Sequence, residues 1–90
     1  MGVRRMGTQR VIEEVRGYAA ARRIWVSSHG RQRMSERGVT YEDLRYALMN
    51  AESCEEGVNG RWKLCSNDMS GDPLTAVVVL QDGLILVTVY

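Results

Sequence analysis

Apolar positions change their spacing midway along the chain. Val11, Ile12, Val15, Ala19 and Ala20 recur at three- and four-residue intervals, with Glu13, Glu14, Arg16 and Arg23 largely off that stripe. This is the signature of an amphipathic helix starting near Thr8, whose hydroxyl is placed to cap it. Ile24-Trp25-Val26 is β-branched and aromatic and reads as a short extended link. Ser27-Ser28 offers a cap for a second helix, His29 to Glu36, closed at Arg37-Gly38 by a residue suited to left-handed backbone. Thr40 opens a third helix with Asp43 in the capping-box position, and Tyr41, Leu44, Ala47, Leu48 and Ala51 form its inward stripe.

After Asn50 the period becomes two. Asn59-Gly60 reads as a two-residue hairpin turn that pairs Val58 with Arg61, Glu56 with Lys63 and Cys54 with Cys65. In that register the thiols oppose each other, and a cross-strand disulfide is conceivable. Asp82-Gly83 reads as a second such turn, pairing Leu80 with Ile85, Val78 with Val87 and Thr75 with Tyr90. Ile85, Val87 and Val89, with Leu80, Val78 and Ala76, are then the face toward the helices. Leu84, Leu86, Thr88 and Tyr90, with Thr75, Val77 and Val79, are the face left open. The expected class is α+β, with two to three N-terminal helices packed on one face of an antiparallel sheet of about four strands. Residues 1–7 lack periodicity and read as a disordered arm; residues 8–90 read as a single domain.

Composition narrows the options. At 90 residues, 44% hydrophobic and 26% charged, the chain has ordinary globular composition and one modest core. No apolar run approaches the roughly 20 residues of a membrane helix, and no secretory signal is visible, so a cytoplasmic protein without membrane contact is expected. Two cysteines and one histidine supply neither a disulfide framework nor a zinc pattern, so no metal and no cofactor are expected. Net charge is +1, yet residues 1–50 carry ten arginines against five acids, while residues 51–90 carry Arg61 and Lys63 against six acids. Such asymmetry points to an anionic partner. Trp25 and Trp62 read as core or edge-packing residues, although either could stack on a base.

The densest chemistry lies in His29–Thr40. On a helix, His29, Arg33 and Arg37 share one stripe, while Met34 points toward the core. An imidazole beside two guanidiniums suits a phosphodiester, since one group exchanges a proton near neutral pH and the others hold phosphate oxygens. The same residues also fit a helix-capping histidine and a solvated arginine face. Val26–Asp43, through His29, Arg33, Met34, Arg37, Gly38, Val39, Thr40 and Asp43, together with Val87-Thr88-Val89-Tyr90, resembles the small bacterial domain-of-unknown-function family numbered 4258. That resemblance runs from about Val11 to Tyr90.

The family looks like a relative of RelE- and BrnT-type toxins, many of which cut RNA without metal. The resemblance implies a RelE-like fold and a toxin-type assignment in which His29 is the acid/base group and Arg33 and Arg37 clamp phosphate. Thr88 and Tyr90 would be polar partners on the sheet, Tyr90 taking the second proton-transfer role. Arg61 and Lys63 would add substrate-binding cations. The implied function is a metal-independent endoribonuclease whose partners are RNA or the ribosome and a neutralising antitoxin. The alternative is a non-catalytic module that binds protein or nucleic acid through the same stripe.

Overall fold

A computed structural model describes residues 7–90. Most of the segment expected to be a disordered arm therefore lies outside the described residues. Three helices, α1 (Thr8–Ala20), α2 (Ser28–Arg37) and α3 (Tyr41–Met49), accompany five strands. These are β1 (Ile24–Val26), β2 (Ser53–Glu56), β3 (Arg61–Asn67), β4 (Pro73–Leu80) and β5 (Leu84–Val89). They form one mixed sheet in the order β1-β5-β4-β3-β2, so the class is α+β.

The helices follow their expected stripes closely. Val11, Ile12, Val15 and Ala19 of α1 are buried, whereas Ala20 is exposed. Thr8 is not the cap of α1. Gly7 holds that place in extended backbone, and its carbonyl accepts from Arg10 and Val11 N–H. Ser27 Oγ caps α2 by accepting from Gly30 N–H at 2.9 Å. Gly38, at φ +68°, ends α2 in the left-handed region with Val39 N–H returned to the Met34 carbonyl. The capping box of α3 is complete between Thr40 and Asp43. Leu44, Ala47, Leu48 and Ala51 are buried and Tyr41 is half-buried.

The sheet departs from expectation in three ways. First, Ile24–Val26 is a strand rather than a link. It lies parallel to β5, with Ile24 opposite Leu84 and Val26 opposite Leu86, giving a fifth, parallel strand. Second, β2 and β3 pair one residue off the expected register, with Cys54 opposite Leu64 and Ser53 opposite Cys65. The cause is an odd loop: Gly57 N–H bonds to the Arg61 carbonyl at 2.8 Å, leaving three residues, Val58–Gly60, in the turn. A one-residue slip reverses side-chain faces. Cys54 therefore shares the inner face with Leu64 while Cys65 lies on the outer one, both thiols are free, and the cross-strand disulfide is excluded.

Third, Leu80 pairs with Leu84 across another odd turn, Gln81–Gly83. A bulge opposite Val77 and Val78 leaves Val87 unpaired and brings Val77 back opposite Thr88 and Ala76 opposite Val89. The inward residues of β5 are consequently Leu84, Leu86 and Val89, all at 0% exposure, instead of Ile85, Val87 and Val89. With Ile24, Leu64, Leu74, Ala76 and Val78 they join α1 and α3 in one core. The outer face carries the rows Trp25–Ile85–Val79–Arg61 and Thr88–Val77–Lys63, followed by Tyr90, Thr75 and Cys65.

Candidate nucleic-acid interface

Helix α2 stands where β1 stops. Beyond Val26 the edge of β5 has no strand neighbour, and α2 supplies its partners. Ser27 N–H donates to the Leu86 carbonyl at 3.0 Å, Ser27 Oγ–H to that of Val87 at 3.1 Å, and Arg33 Nε to that of Val89 at 3.4 Å. Gly30 permits the approach, because a Cβ there would sit 3.0 Å from the Leu86 carbonyl oxygen. The helix thus travels along β5 from Leu86 to Val89 and meets it through Gly30.

Each residue turns the helix by about 100°, so the contacts of a few residues fix the rest. Met34 is buried, and Arg31 and Ser35 border a cleft with Val26, Val39 and Tyr41 on the helical side. His29 and Arg33 consequently fall on the opposite flank, toward the outer sheet face. His29 is exposed and makes no hydrogen bond or ion pair among the described residues. Arg33 is held at the end of β5 and also meets Glu36 Oε1 at 3.5 Å. Arg37, a turn further on, is exposed and unpaired among the described residues.

The outer face supplies the remaining groups. Lys63 Nζ lies 5.9 Å from the centre of the Tyr90 ring, within range of a cation–π contact. Thr88 shares the row of Val77 and Lys63, and Arg61 lies two residues before Lys63 on β3. Tyr90 is pinned by paired backbone bonds with Thr75 at 2.8 and 2.9 Å, which stops its strand fraying there. The fold therefore collects Lys63, Thr88 and Tyr90 on one face, with Arg33 at its margin. Arg61 stands apart at the hairpin end, and no hydrogen bond joins His29 to Thr88 or Tyr90.

Sequence reasoning missed a groove on this face. Trp25, Val26, Ser27, Gln81, Asp82 and Ile85 line a volume of about 460 Å³. Trp25 is 54% exposed, so it is an edge residue, whereas Trp62 is half-buried against the core. The available signal was an aromatic flanked by β-branched residues, which marks a strand with an outward-facing ring. Among the described residues, no three His, Cys, Asp or Glu side chains gather as a metal site, and no helix is long and apolar enough to cross a membrane.

Comparison with known proteins gives one family. Residues 26–90 match the family described as Domain of unknown function (DUF4258), a span that begins at the last residue of β1, runs through α2 to Tyr90 and leaves α1 outside. No curated protein and no solved structure matches.

Proposed function

We propose that this chain, which belongs to the DUF4258 family, is a metal-independent endoribonuclease of toxin–antitoxin type built on a RelE- or BrnT-like fold. The observation that carries this reading is the shared border of α2 and β5. There an exposed imidazole and a strand-anchored guanidinium flank a sheet face bearing Lys63, Thr88 and Tyr90. RNA contains its own nucleophile. His29 takes the proton of a ribose 2′-OH, the 2′-oxygen bonds to phosphorus, and the bond to the 5′-oxygen breaks. The Tyr90 hydroxyl returns a proton to that leaving oxygen, and the products are a 2′,3′-cyclic phosphate and a 5′-OH. Arg33, Arg37 and Lys63 balance charge on the non-bridging oxygens, Arg61 holds the flanking backbone, and Thr88 donates a hydrogen bond. An antitoxin protein would neutralise the activity by covering this face.

The test is incubation of wild type and His29→Ala with total RNA in EDTA, with and without ribosomes. Cleavage to cyclic-phosphate ends, reduced about 100-fold or more in the variant, is expected. Intact RNA under all conditions overturns the reading. A second reading, binding without cleavage, is favoured by the lack of any described group that orients the His29 ring, since a working base is ordinarily held by a third residue. It predicts RNA retention by wild type with no new ends.

A further inference from the structure

The groove beside Trp25 combines an exposed aromatic ring and apolar residues with Gln81 and Asp82. Its wall is fixed: the Trp25 ring lies on Gly83, where any Cβ would run into it. Its floor is Ile85, the cross-strand neighbour of Trp25. Gln81 and Asp82 line the groove as well, and their side chains have no partner among the described residues. Both residues are nevertheless anchored through their backbones, Gln81 N–H to the Gly83 carbonyl and the Asp82 carbonyl to Arg23. The two residues are therefore held in place while their polar groups remain available. Ser27, at the near end of the groove, stands two residues before His29.

We propose that this groove is a base-recognition subsite that takes an unpaired guanine of an RNA strand. The inference rests on the RNA reading above and deepens it. Stacking on Trp25 accepts any base, so the ring supplies affinity without choice. The choice comes from Asp82. An ionised carboxylate only accepts hydrogen bonds and takes two parallel ones best. Among the four bases, only guanine presents two adjacent N–H donors, N1–H and N2–H, on its pairing edge. Pairing in a duplex would occupy that edge, so the groove selects single strands. In this reading the sugar and phosphate leave by the Ser27 end of the groove, which adjoins α2 and His29 in sequence.

The test uses wild-type protein and seven-nucleotide strands carrying 2′-O-methyl riboses, which lack the attacking hydroxyl. Each is uridine with a central G, A, C, U or inosine. Fluorescence anisotropy should show the G strand binding at least fivefold tighter than the A, C and U strands. Inosine, lacking the N2 amino group, should fall between them. Asp82→Asn should abolish the G preference, so that within the variant the G strand binds no tighter than the all-uridine strand; its φ of +52° is a conformation asparagine accepts well. Trp25→Ala should weaken every strand by about fivefold or more, and Trp25→Phe should restore part of that loss. Equal affinity for all strands, or a G preference that survives Asp82→Asn, overturns the subsite and leaves the nuclease reading standing. No binding of any strand, with total RNA left intact, overturns both.

Discussion

Thr40 and Asp43 show how much a few atoms contribute to one helix. Thr40 Oγ1 accepts from Asp43 N–H at 3.0 Å, and Asp43 Oδ2 accepts from Thr40 N–H at 3.2 Å and from its hydroxyl at 3.0 Å. Thr40→Ala should lower stability by about 1 kcal/mol in urea titrations. The amide of Thr40, then its hydroxyl, holds the Asp43 carboxyl below the usual aspartate range. A carboxyl depressed in the folded state adds stability above its unfolded value, near 3.9, and that stability disappears as pH falls through the folded value. Asp43→Asn should therefore flatten the acid side of a stability–pH profile and leave its shape above pH 6 unchanged. Cys54 is raised above the ordinary thiol value, chiefly by burial and then by Glu55, while Cys65 is exposed. Alkylation followed by mass spectrometry should label Cys65 first and find no disulfide. Arginine has two uses here. Arg16 and Arg45 form a reciprocal pair, Arg16 donating to the Ala51 carbonyl after α3 and Arg45 to the Ala19 and Ala20 carbonyls ending α1. Part of the arginine excess therefore serves helix ends rather than a ligand.

Local chemistry was legible in the sequence and sheet geometry was less so. The caps at Ser27, Gly38 and Thr40 depend on residues at most five apart, and each stands where the sequence places it. Strand faces depend on the number of residues in each turn. Both turns hold three residues instead of two, and the Val87 bulge then compensates in β5 alone. No alternation of apolar residues distinguishes those outcomes when nearly every position of Leu84–Val89 is apolar. β1 escaped notice because three residues are too few to show a period, and its partner lies sixty positions away. The His29–Arg33 flank was readable, since it follows from helical spacing, whereas the Trp25 groove needed β1 and β5 to be side by side. Two glycines provide a test at this scale. Gly17→Ala meets nothing within 4 Å and should raise stability by up to about 1 kcal/mol. Gly30→Ala is also helical but presses on the Leu86 carbonyl and Ser27 Oγ, so it should lower the thermal midpoint instead. A rise in both would show that α2 has room to move away from β5.

Charge is distributed across the whole molecule rather than summed at one point. β2 is the sheet edge farthest from β1 and carries Glu55 and Glu56, with Glu52 just before it, while Arg31, Arg33 and Arg37 lie on α2 beside β5. On the proposed reading, a polyanion would be steered toward the α2 side even though the net charge is only +1. Because few cations face the strand, salt dependence should be shallow. For about three neutralised phosphates, a rise from 50 to 200 mM salt should weaken single-stranded RNA binding by roughly twentyfold, measurable by anisotropy. A loss of a thousandfold would mean a much wider contact than this face. The parallel pairing of Ile24 with Leu84 has one more consequence. β5 sits inside the sheet between β1 and β4; its β4 side closes locally through the Gln81–Gly83 turn, whereas its β1 side must join residues about sixty positions apart. The helical segments and the β3–β4–β5 meander form from neighbours in sequence, and closure of the largest chain loop, β1 onto β5, comes last. Folding kinetics should accordingly be governed by how quickly β1 finds its place beside β5.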